Sequence, residues 1–243
     1  MNAINRAALW RRLVAEFLGS AVLAAVVIGS GIAAQNLSPG DVGLELLENA
    51  LVTGAGLFVI ILVFGSVSGA HFNPAVSLVD AVLGGISWRH AWSYVPAQIA
   101  GCITGAIFAN VMFARATLSW STHHRASGPH LASEVLATAG LVLVIFSLAR
   151  NGKHTFTPAA VGAYITAAYF FTSSTSFANP AITVGRMFSN SFAGIAPQSV
   201  PGFILAQILG AAVGLGAVKV LYPSSGGQPA VANHRDPSSP HHS

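Results

Sequence analysis

The tripeptide Asn-Pro-Ala occurs at 73–75 and again at 179–181, each time where an apolar run gives way to polar sequence. An Asn is a natural N-cap, and a Pro directly after it suits the first residue of a helix, where its missing N–H would have had no partner. Each box therefore predicts the start of a short helix. Such an end offers unpaired N–H groups and about half a positive charge. Two of them meeting inside a membrane would form a waist that repels cations and holds neutral hydroxylated solutes.

The composition puts these helix ends in a membrane. Of the 243 residues 53% are hydrophobic and 7% charged, with mean hydropathy +0.65. A soluble domain carries about a quarter charged residues. Spans of roughly 20 apolar residues are expected at 9–34, 47–67, 89–113, 130–150, 158–176 and 199–221. The apolar run after Arg11-Arg12 has the length of a span, with no small-residue cleavage site. The segments 71–86 and 178–192 are too short to cross and read as re-entrant half-helices.

The two halves repeat. Leu13-Val14-Ala15-Glu16 returns as Leu131-Ala132-Ser133-Glu134, 118 residues later, and Asn73 returns as Asn179, 106 later. Gln98-Ile99-Ala100-Gly101 returns as Gln207-Ile208-Leu209-Gly210, 109 later. Three spans per half is an odd number, so the second copy must be inverted, which sets broken helices face to face near the midplane. With both termini inside, eight cations (Arg6, Arg11, Arg12, Arg89, Arg150, Lys153, Lys219, Arg235) are cytoplasmic and three (Arg115, Arg125, Arg186) external. That is the orientation the positive-inside rule favours. The expected organisation is a channel domain over 1–221 and a disordered cytoplasmic tail over 222–243, whose His241-His242 pair reads as solvated. Cys102 is the single cysteine and is expected to be a buried, inert thiol. The net charge of +4 calls for no nucleic-acid partner, and no metal or cofactor is expected.

Taken together, these residues resemble the major intrinsic protein family of aquaporins and aquaglyceroporins, over about 9–221. Ala15-Glu16-Phe17-Leu18-Gly19, Ser68-Gly69-Ala70-His71 and Ala97-Gln98 resemble family signatures beside the two boxes. The resemblance implies an all-α membrane protein in an inverted three-plus-three repeat, with six transmembrane helices and two half-helices. It also implies one pore per protomer, a homotetramer, and a place in the cell membrane. Asn73-Pro74-Ala75 and Asn179-Pro180-Ala181 would form the pore waist, the Asn amides facing the file of permeant molecules. Glu16 and Glu134, costly at about 2.5–3.5 kcal/mol inside a membrane, would accept loop N–H bonds as supports. His71 would line the cytoplasmic half as a gate, or would serve only to brace the re-entrant loop.

The sequence departs from the family at the outer filter. The family carries Arg after the second box, and here stands Ile182. Counted from the two Asn residues, the other filter positions fall on Thr53, Ala167 and Ser176. Water channels carry Phe and His at the first two of these, and glycerol channels carry Trp at the first. A filter of Thr53, Ala167, Ser176 and Ile182 has no charge and no ring, and should be wide. Arg186 lies four residues past Ile182, one turn along the same face. It either replaces the filter cation from the outer mouth, or snorkels to headgroups or caps a loop.

The run Phe170–Ala181 with an aliphatic residue following resembles a bacterial branch associated with arsenic detoxification. The implied solutes are trivalent arsenite or methylated arsenicals first, then glycerol or urea, with a strict water channel as the alternative. An ion-coupled secondary transporter is the rival from another class, since it too has inverted repeats. An enzyme is not expected, because His123-His124 and Arg125 have no nearby Cys or acid to complete a metal site.

Overall fold

The computed structural model describes residues 7–223, and every regular helix or strand among them is helical. In chain order these are α1 (Leu9–Leu37), α2 (Val42–Ser68), α3 (Pro74–Val82), α4 (Trp88–Met112), α5 (Gly128–Arg150), α6 (Thr157–Phe171), α7 (Pro180–Arg186) and α8 (Val200–Leu221). Short 3-10 turns precede α6 and α8. The helix starts follow local chemistry. Asp41, Ser87 and Ser127 each accept a bond from the N–H three residues on, as N-caps do. The tail beyond residue 223, with His241 and His242, lies outside the described residues, as do Arg6 and Arg235.

Five helices, α1, α2, α4, α5 and α8, are long and apolar enough to cross a membrane. The fifth span is shorter than the sequence predicts. The apolar run implies a span over 158–176, but α6 stops at Phe171 after 15 residues, a rise of about 22 Å. The cause is the run Thr172-Ser173-Ser174-Thr175-Ser176, whose hydroxyls compete for backbone groups. Thr172 Oγ1 donates back to the Ala168 carbonyl at 2.6 Å, and Ser174 Oγ accepts from the Ser176 N–H at 3.2 Å. The chain then continues without helix through Thr172, Ser174, Ser176, Phe177 and Ala178, all buried, where protein covers the irregular backbone.

The repeat persists in the packing. A Cβ placed on Gly101 of α4 would collide with the Phe17 carbonyl oxygen of α1, and one on Gly105 with that of Ala21. The second half has the same crossing: Gly210 and Gly214 of α8 rest on the Val135 and Ala139 carbonyls of α5. Small residues let helix backbones approach this closely, which is the main source of helix association in lipid. The half-helices trade places. Ala181 and Ile182 of α7 belong to the apolar cluster of Leu23, Ile28 and Ala106 from the first half. Ala75, Val76 and Val79 of α3 belong to that of Ala137, Val142 and Ala211 from the second. Each short helix thus reaches into the apolar core of the other half, while α3 also packs on α4 and α7 on α8 of its own, and their N-termini meet in the middle. The outward faces carry large apolar side chains such as Leu51, Leu62, Phe108, Leu136 and Leu205, as a lipid-facing surface requires.

Candidate functional site

The backbone entering each box is bent the same way. Gly69, Ala70 and Phe72 have φ of 93°, 51° and 49°; Thr175, Ser176 and Ala178, each 106 residues later, have 62°, 49° and 48°. A non-glycine residue in this left-handed region costs about 1–2 kcal/mol, so five such residues need something to hold them. Sequence reasoning does not reach this strain, because Ala, Phe, Ser and Thr do not announce it.

Two buried carboxylates hold it. Glu16 accepts the backbone N–H of His71 at 3.0 Å and of Phe72 at 2.7 Å, together with Ser68 Oγ at 2.6 Å and Gln98 Nε2 at 2.7 Å. Glu134 accepts the N–H of Phe177 and of Ala178, both at 2.9 Å, and Gln207 Nε2 at 2.7 Å. Both glutamates are fully buried. Hydrogen bonds to a charged group contribute about 1.5–3 kcal/mol each, so three or four outweigh the cost of placing one acid in a membrane. Each Gln also bonds a hydroxyl, Ser77 Oγ at 3.0 Å and Thr183 Oγ1 at 2.8 Å, and each hydroxyl reaches the carbonyl of its box Asn. Gln98 and Gln207 stand in the repeat as it is written, and Ser77 and Thr183 share the 106-residue offset; their role needed the tertiary structure.

At the centre the two Asn residues interlock. Asn73 Oδ1 caps α3 by accepting the Ala75 N–H at 2.9 Å, and Asn179 Oδ1 caps α7 through Ala181 and Ile182 at 2.9 and 3.3 Å. Asn73 Nδ2 donates to the Ala178 carbonyl and Asn179 Nδ2 to the Phe72 carbonyl, both at 2.8 Å. An amide nitrogen has two hydrogens, so each Asn keeps a second donor after this exchange. Both line a cavity of about 690 Å³. It extends from Tyr169, Phe177 and Arg186 at one end, past the two Asn residues, to Asp80, Arg150 and His154 at the other.

Three of the four expected filter residues, Thr53, Ser176 and Ile182, line this cavity. Ala167 does not: it is exposed on the outer side of α6, and Tyr169 faces inward instead. The count of twelve residues back from Asn179 passes through irregular backbone, so it does not preserve helical phase. Two residues correspond to about 200° around a helix. The cavity wall there is therefore neither ring-free nor uncharged. Tyr169 OH lies 3.2 Å from Thr53 Oγ1, and Arg186 is also in the lining.

His71 sits in the other half of the cavity, with Nδ1 3.0 Å from Ser77 Oγ and Nε2 3.3 Å from Asp80 Oδ2. It thus lines the cavity while its two ring nitrogens face side chains of α3. Arg186 is 2% exposed. Its Nε donates to the Ala193 carbonyl, and its guanidinium carbon lies 3.4 Å from the Phe177 ring centroid. The loop 113–127 closes over the chain that follows α7. Ser119 and Ser121 donate N–H bonds to the Phe188 and Met187 carbonyls, and Arg125 binds the Gly194 and Phe192 carbonyls. Burial, assisted by Arg125, lowers the His123 pKa in this loop.

Comparison with known proteins agrees with this geometry. The chain matches the major intrinsic protein family over residues 3–178. It is 46% identical over 213 residues to the aquaglyceroporin AqpS of Rhizobium meliloti (strain 1021), covering 88% of this chain and 91% of that protein. It is 33% identical over 150 residues to the glycerol uptake facilitator protein of Streptococcus pneumoniae (strain ATCC BAA-255 / R6), covering 56% of this chain and 63% of the relative. Its fold matches the crystal structure of the aquaglyceroporin from Plasmodium falciparum with a TM-score of 0.70 at 22% identity, over 89% of this chain and 98% of that one. The chain belongs to the major intrinsic protein family, and is a multi-pass membrane channel for small neutral solutes rather than an enzyme.

Proposed function

We propose that the pore conducts solutes larger than water: glycerol-like polyols, and trivalent arsenite in its neutral trihydroxy form or its methylated relatives, as well as water itself. The observation that carries this reading is Ile182 in the cavity lining, where the family pattern has a cation directly after the second box. The relatives named as an aquaglyceroporin and a glycerol uptake facilitator support it. Asn73 and Asn179 offer donors at the waist, and Thr53, Ser176 and Ile182 shape the outer constriction. Glu16 and Glu134 act as loop supports. Neither is in the cavity lining and both have their oxygens occupied by N–H and hydroxyl donors, so neither suits a coupling site. The working unit is a homotetramer in the cell membrane, with the channel domain over 1–221 and both termini cytoplasmic.

Stopped-flow light scattering on proteoliposomes tests this with water, glycerol and neutral arsenite at matched protein density. Rapid entry of both solutes is expected, insensitive to proton and sodium gradients. Ile182→Arg should reduce it about tenfold or more, the effect of roughly 1.4 kcal/mol on the barrier, with water affected less. Equal loss of water and solutes would remove Ile182 from the constriction. One observation favours the second reading, a strict water channel: the 3.2 Å approach of Thr53 Oγ1 to Tyr169 OH joins two walls of the cavity. Fast water with no solute entry would establish it.

A further inference from the structure

Arg186 is a long cation with 2% exposure and no carboxylate partner among the described residues, where the one ion pair is His71–Asp80. Burying an unpaired charge in a membrane is costly, so the site must compensate for it. Two contacts do so in part. Nε donates to the Ala193 carbonyl, and the guanidinium carbon lies over the Phe177 ring, within the range of a cation–π contact. Among the described residues the terminal nitrogens make no hydrogen bond, and Arg186 is in the cavity lining. Arg125, whose guanidinium carbon is 5.5 Å from the same ring centroid, differs: it gives Nε and one terminal nitrogen to backbone carbonyls and braces the loop.

A second polar group nearby is also unsatisfied. Ser176 Oγ is buried without a hydrogen-bond partner, and Ser176 lines the same cavity as Arg186. Across this section stand the Thr53 and Tyr169 hydroxyls, while Phe177 and Ile182 supply apolar wall. The large majority of buried polar groups in native structures are paired, and one that is not calls for a reason such as strain, a functional role or a bound water or ion.

We infer that Arg186 is the selectivity cation of this channel, displaced one helical turn from the position after the second box. Its terminal N–H groups and the Ser176 hydroxyl receive the oxygens of a passing neutral polyol or trihydroxy acid. Its charge repels cations at the same point. Ile182 clears the space in front of it, so the constriction keeps the donor fork and loses the bulk of a nearer arginine. This assignment rests on the reading of the chain as a polyol-permeable pore.

The test uses full-length protein in proteoliposomes and measures glycerol entry, water entry and methylammonium entry. Arg186→Met keeps much of the side-chain volume and removes the charge. Methylammonium entry should rise about tenfold or more relative to water, as loss of a charge-based barrier implies. The double variant Ile182→Arg/Arg186→Met returns a cation one turn away and should restore exclusion. Arg186→Met with unchanged methylammonium and glycerol entry would overturn the inference while leaving the pore intact. If wild type passes no glycerol, the underlying reading fails instead. Should Arg186→Met not reach the membrane folded, Arg186→Lys decides. It keeps the charge without the planar fork, so cations stay excluded while glycerol entry falls relative to water; an unchanged ratio would overturn the assignment.

Discussion

The two box entrances share one backbone and differ in what surrounds it. Residues 69, 70 and 72 and residues 175, 176 and 178 take the same left-handed turns, and a buried glutamate grips two N–H groups of each. Around the first entrance the polar groups form a chain of bonds: Ser68 bonds Glu16, Tyr94 OH bonds the Ser68 carbonyl, Arg12 bonds Tyr94, and His71 faces Ser77 and Asp80, while Arg12 Nη2 and Gln98 Oε1 have no partner. Around the second, Ser176 Oγ and Gln207 Oε1 have no partner, and Arg186 gives Nε to the Ala193 carbonyl while lining the cavity. The two box asparagines exchange bonds with each other's loop carbonyls, so their geometry is duplicated. The surroundings are free to diverge: Arg12 bonds Tyr94 beside the first entrance, and Arg186 meets the Phe177 ring beside the second.

The glutamates allow the largest test of this comparison. Glu16 accepts four bonds and Glu134 three. Replacing either with Gln leaves at least one buried N–H facing an amide donor, at about 1–3 kcal/mol for each orphan. Glu16→Gln should therefore lower the thermal midpoint more than Glu134→Gln, and both should reduce folded yield more than flux per folded channel. Equal midpoints would mean that the two clamps are energetically alike despite the extra Ser68 bond.

Asn179→Asp probes the waist itself. It replaces the Nδ2 donor to the Phe72 carbonyl with a second acceptor and places a negative charge in the cavity. Neutral-solute flux should fall, and cation conductance should appear in planar bilayer recordings. Retained exclusion and flux would take Asn179 out of the conduction path.

The smallest effect comes from the one position where the entrances differ in backbone cost. Gly69 takes φ 93° freely, while Thr175 takes φ 62° with a branched side chain. Thr175→Gly should stabilise the fold by up to about 1 kcal/mol, and Gly69→Thr should destabilise it by about 1–2 kcal/mol. Opposite shifts in the thermal midpoint are expected. Shifts of the same sign would show that Thr175 makes contacts that outweigh its strain.

The sequence by itself determined the architecture. Two Asn-Pro-Ala boxes, the paired Glu and Gln residues, and apolar runs of span length repeat along the chain, and each has a local physical meaning. Capping, burial cost and the 3.6-residue period all act through near neighbours, so they can be read from sequence. The short Ser/Thr run after Phe171 was legible too, but its consequence was not: it ends α6 early and breaks the spacing that seemed to place Ala167 in the constriction. Only the tertiary structure put Tyr169 there, because helical phase is lost across irregular backbone. It also set where the Arg186 side chain lies, since whether a guanidinium turns outward or folds onto Phe177 depends on contacts with Ala193 and the covering loop. Those partners lie in separate stretches of chain and meet only when the halves interlock.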